Sequence, residues 1–147
     1  MATITKFQDF SEQLSKGVHN FNSHTFKIVL TNSAPASTNT LLSQITQISG
    51  TNGYTTGGGT PGTTTIGVSE TTGTTTVTGT QCVFTASTGA MGAFRYYVLY
   101  NDTVEANTDV ACLVAFWDHG STVNLADGES FTIKFNNASP GTIFTLA

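Results

Sequence analysis

The sequence predicts a mainly β protein: an antiparallel β-sandwich, jelly-roll-like, with a short N-terminal α-helix. Three observations carry this. The apolar runs are short and of strand length, Gly and Asn punctuate them at close intervals, and about a fifth of the 147 residues are Thr, whose branched β-carbon favours strands. The length fits a single domain, 1–147, with a helix or arm at 1–20, a Thr/Gly-rich hairpin or loop at 50–80 and core strands at 81–147.

The first 20 residues read as a helix, because Phe7, Phe10, Leu14 and Val18 recur at three- and four-residue steps. Thr5 followed by Gln8 fits a capping box, and Gly17 is placed to end the helix in a left-handed turn. So short a helix must pack its aromatic face on its own sheet or on a neighbouring subunit. Phe26, Ile28 and Leu30 then alternate with Lys27, Val29 and Thr31, a strand with one face in and the other mostly out. Leu41, Leu42, Ile45 and Ile48 fit a short helix or an irregular strand equally well.

Turn signals crowd the next stretch: Gly50-Thr51-Asn52-Gly53, Gly57-Gly58-Gly59 and Pro61-Gly62. Thr63 to Glu70 and Thr74 to Thr78 read as two thin strands joined at Thr72-Gly73, a projecting hairpin or long loop. Ala93 to Tyr100 and Val110 to Trp117 are nearly unbroken apolar runs, so both of their faces must be covered. Phe131, Ile133 and Phe135 alternate with polar residues, and Ile143, Phe144 and Leu146 close the sheet.

Composition excludes several functions. Five Lys+Arg against nine Asp+Glu, a net charge of −4, cannot build a basic track for a nucleic-acid backbone. No apolar run approaches the roughly 20 residues of a membrane-spanning helix. The first ten residues lack a charged-then-apolar signal pattern, so synthesis in the cytoplasm is expected. Cys82 and Cys112 sit inside apolar runs and read as buried, reduced thiols rather than a disulfide framework.

Few residues in the chain have the types and spacing of a reactive site. Asp118-His119-Gly120-Ser121 holds the residue types of an acyl-transfer site, but neighbours along a strand point to opposite faces, and His119 reads as a turn residue. His19 and His24 lack a third nitrogen or sulfur ligand nearby and read as a surface pair. Asp102, Glu105 and Asp109 lack the dense ligand spacing of a calcium loop, and Gly57-Gly58-Gly59 is followed by neither Gly-Lys-Ser/Thr nor a helix start. Trp117 with Tyr96, Tyr97 and Tyr100 offers a sugar platform only if these rings are exposed; inside strand runs they read as core. Arg95 is the one charge in a buried-looking strand and must form a structural ion pair or meet carbonyls or a second subunit. No catalytic residue, metal site or cofactor is expected.

Several blocks in order carry a family resemblance. They are Gly17-Val18-His19-Asn20-Phe21, Thr25 to Thr31, Ile48 to Gly58, Ala93 to Asp102, Leu113 to Gly120, Phe131 to Phe135 and Gly141 to Leu146. In this order and spacing they resemble a widespread family of small tailed-phage virion proteins whose members are similar to head decoration, or cement, proteins. The chain departs from that family at Phe84, where a Trp is usual, and in its Thr/Gly-rich stretch at 60–80. The resemblance implies a non-enzymatic virion component, on the capsid surface, that binds the outer capsid lattice and stabilises it. Its implied partners are the major capsid protein and further copies of itself, a homotrimer before a homodimer, without nucleic acid or membrane. On this reading Phe7, Phe10 and Leu14 of the helix, or the 50–80 stretch, supply assembly contacts. The alternatives are a phage tail or adaptor component and a carbohydrate-binding β-sandwich module.

Overall fold

The computed structural model describes residues 2–106 and 110–147. Its strands are β1 (Thr3–Lys6), β2 (Phe26–Thr31), β3 (Thr63–Thr64), β4 (Ile66–Thr71), β5 (Thr74–Gly79), β6 (Cys82–Thr85), β7 (Phe94–Asn101), β8 (Leu113–Val123), β9 (Ser130–Ile133) and β10 (Gly141–Leu146). Two short helices, α1 (Phe10–Ser15) and α2 (Asp102–Glu105), and a 3₁₀ turn at Leu42–Gln44 complete the elements. The central sheet runs β1-β8-β7-β2-β3, a second runs β10-β5-β4, and β6 pairs with β9. Every pairing is antiparallel. The predicted β-sandwich with a helix near its N-terminus is therefore the observed fold.

The central sheet is covered on both faces. On one side Phe26, Ile28, Leu30, Leu99 and Trp117 pack with Phe84, Ile133 and Ile143 from the other two sheets and with Phe135 just beyond β9. On the other, Val29, Val98, Tyr100 and Leu113 pack under Phe7, Leu42, Ile45 and Val104. The two apolar runs expected to be covered on both faces are the middle strands β7 and β8. The one-sided reading of β2 is corrected: Val29 and Thr31 are fully buried, because the segment around Leu42–Ile45 folds over their face.

The N-terminal reading is corrected as well. Residues 3–6 are not helical; Thr3, Ile4 and Thr5 are all β-branched, which favours a strand, and the segment pairs with the edge of β8, Thr3 opposite Asp118 and Lys6 opposite Ala115. The helix begins only after Asp9, and no Thr5–Gln8 capping box forms. It ends where the sequence indicates. Gly17 adopts φ +78°, its N–H donates to the Leu14 carbonyl and that of Val18 to the Gln13 carbonyl, the pattern of a Schellman cap.

The Thr-rich stretch is a hairpin built into the second sheet rather than a free loop. Thr72 (φ 52°) and Gly73 (φ 81°) form a two-residue turn of the kind that matches strand twist. Its second strand pairs with β10, leaving β4 as the exposed outer strand. The glycine-rich loop before it lies flat on β2: the Ile28 N–H donates to the Gly62 carbonyl at 2.7 Å.

Candidate assembly surface

The residues nominated for assembly separate in space. Phe7 is fully buried, its ring 5.1 Å from Phe116, and Phe10 is 4% exposed, against His19, Phe21 and Phe144. Both rings belong to the chain's own core, which corrects their expected role as direct assembly contacts. The physical reason is that a six-residue helix cannot stand without packing Phe10, and Phe7, ahead of it, fills the core beside Val29 and Val98. Leu14 is half-buried and lines an open cleft of about 280 Å³ between α1, β1 and β10. That cleft also takes in Ile4, Phe144 and Leu146, with Ile4 40% and Leu146 46% exposed. Two strands that are sheet edges, β1 and β10, flank it. An edge strand presents unpaired N–H and C=O groups, which another chain can extend. Sequence periodicity missed this surface because it assigned residues 3–6 to a helix.

Arg95 forms the ion pair expected of it. Its Nε and a terminal nitrogen donate to the two Asp118 carboxylate oxygens at 2.7 and 2.9 Å, a bidentate geometry across β7 and β8. Arg95 lies on the outer face, its side chain 38% exposed, with the guanidinium 5.4 Å from the Tyr96 ring centre. The Asp118 carboxyl is held down to about 2 by hydrogen bonds from Arg95 and from the Gly120 N–H. In a solvated pair of this kind the contribution to stability is small.

The remaining nominations resolve by burial. Trp117 is 7% exposed and stacks on Tyr97 at 5.5 Å, while Tyr100 is almost fully buried; the exposed platform of a carbohydrate-binding module is not formed by these rings. His119 is corrected from a turn to a strand residue, since β8 runs on to Val123; it is exposed, its ring 5.3 Å from Phe131. Asp102 pairs with Lys27 at 2.9 Å and accepts from the Tyr100 hydroxyl at 3.0 Å. Asp109 lies outside the described residues. Among the described residues no cluster of three metal-ligating side chains occurs, and no helix is long and apolar enough to cross a membrane. His19 and His24 are not a surface pair. Both rings face Asn101, and His19 is buried. The sequence signal was faint, because nothing in it says that residues 19, 24 and 101 converge.

Cys82 and Cys112 are buried free thiols, and burial pushes them up to about 12 and about 11. Neither is expected to react with a thiol-specific reagent in the folded protein, and both are expected to react once it is denatured. A colourimetric thiol count in native and denaturing buffer checks this.

Neither a scan of protein-family models nor searches of curated proteins and of solved structures find a match to this chain.

Proposed function

We propose that the protein is a structural component of a tailed-phage virion, a decoration protein that binds the outer capsid lattice and stabilises it. The sequence blocks that resemble head decoration proteins support this. The structural observation that carries it furthest is the apolar cleft bordered by two strand edges, where Ile4 and Leu146 remain 40% and 46% exposed. An edge and an apolar groove together suit strand addition, in which backbone hydrogen bonds give affinity and side-chain pockets give register. A rigid sandwich with so few charges presents neutral, hydroxyl-rich surfaces that a neighbouring subunit can cover at low desolvation cost. Weak contacts made at several capsomers at once raise avidity by roughly 10²–10⁴. A symmetric oligomer would make such contacts in one step.

The test is solution mass combined with co-sedimentation on empty capsids. A dimer or trimer that pellets with capsids is expected, and Ile4→Lys together with Leu146→Lys is expected to abolish pelleting while the β-rich circular dichroism spectrum persists. A monomer that ignores capsids would overturn the proposal. Imaging of labelled protein on whole phage separates a head position from the alternative of a tail component.

A further inference from the structure

Asn101 ends β7 and is fully buried. Its Oδ1 accepts from the Val104 N–H at 3.4 Å, capping α2. That orientation turns the amide nitrogen toward both histidines, 3.2 Å from His19 Nδ1 and 2.9 Å from His24 Nδ1. An amide NH₂ has two donors and no acceptor, so each Nδ1 must present its lone pair. Both rings are therefore neutral, with their protons on Nε2. His24 Nδ1 also faces the Asn20 N–H at 3.4 Å. His19 is 4% exposed; its Nε2 has no hydrogen-bond partner, and its ring lies 5.3 Å from Phe10 and 6.4 Å from Phe21.

Among the described residues, two titratable groups act on His19. Asp9, at the head of α1, favours its cationic form, and His24 disfavours it. Asp102 is turned to Lys27 and Tyr100, and Glu12 pairs with Lys16 on α1. From β10, Phe144 packs against Phe10 and Phe21.

We propose that Asn101, His19 and His24 form an acid-sensitive latch that holds residues 17–25 on the β7–α2 junction and frees them when the His19 ring takes up a proton. Protonation turns an Nδ1 acceptor into a donor and sets N–H against N–H. The amide cannot rotate to accept it without withdrawing Oδ1 from the Val104 N–H, which uncaps α2. A charged His19 would also sit among phenyl rings, away from water. The freed segment carries Phe21, which stacks on Phe26 at 4.5 Å and meets Phe10 and Phe144 edge-on. Opening thus bares aromatic surface beside the cleft that Phe10 and Phe144 line.

Burial lowers the His19 imidazole to about 4, below its ordinary 6.5. A group depressed on folding stabilises the closed form fully above 6.5, and that stabilisation is lost as pH falls from 6.5 toward 4. Amide hydrogen exchange on the full chain at pH 7.0 and 5.0, corrected for intrinsic rates, is the test; this window lies above ordinary carboxylate titration. Protection of residues 17–25 is expected to fall more than about tenfold, while β7 and β8 keep theirs. In His19→Phe, which keeps the ring but cannot titrate, the fall is expected to shrink below about threefold. Nitrogen-15 spectra of the wild-type imidazoles at pH 7 are expected to show both rings as the Nε2–H form, a readout independent of how the variant folds. Flat protection across the window, an equal fall in His19→Phe, or either ring in the Nδ1–H form would overturn the latch.

Discussion

Replacing Gly58 by alanine is expected to destabilise the protein by about 3 kcal/mol or more, a drop in Tm on the order of 10 °C. Two effects add. Gly58 adopts φ +84°, a left-handed conformation that costs an L-residue about 1–2 kcal/mol. A β-carbon there would also lie 2.0 Å from the Ile28 carbonyl oxygen, which is backbone of a fully buried strand position and cannot step aside. The Gly62 carbonyl that receives the Ile28 N–H would have to move with the loop. Gly73→Ala separates the two effects, since Gly73 has nearly the same φ, +81°, with open space where its β-carbon would go. It is expected to cost about 1–2 kcal/mol. Thermal melts of both variants check the pair; equal losses would mean that the contact with β2 contributes nothing.

Phe84→Ala is expected to cost about 3–5 kcal/mol, measured as a shift in urea midpoint at constant slope. The Phe84 ring is fully buried, with Tyr54 6.0 Å away, and it belongs to the core shared by β6–β9 and the central sheet. Its neighbour Val83 points outward and is 37% exposed. Val83→Ala is therefore expected to change stability by less than about 0.5 kcal/mol. The contrast tests the alternation of β6 directly. If the two variants lose similar stability, the strand's register on β9, Phe84 opposite Phe131, is wrong.

What could be read from the sequence follows from where the driving forces are local. The unbroken runs at Ala93–Tyr100 and Val110–Trp117 announce burial on both faces by composition alone, and they are the middle of the sheet. The Thr72-Gly73 turn declares itself through two adjacent residues. Strand β1 could not be read, because its four residues have no core of their own and gain their conformation from the β8 edge. The same lack of locality hid the second face of β2, which is covered by residues some fifteen positions on. It also hid the Asn101 cluster, whose members come from a loop and from a distant strand end. Arg95 was legible because a charge in an apolar run demands a partner; that the partner is Asp118, one strand over, was not.

The pairing of β1 with β8 sets the order in which the chain can fold. Thr3 lies opposite Asp118, so β1 closes a loop spanning most of the polypeptide, and β2, opposite β7, closes one of about half of it. On a ribosome, the amino-terminal residues must wait unpaired until nearly the whole chain has emerged. Such distant pairings place the protein among slow folders, on the order of milliseconds to seconds. During that interval the β4–β5 hairpin, closed by its own two-residue turn, is the part that can assemble first, and the waiting segment is one with few large apolar side chains before Phe7.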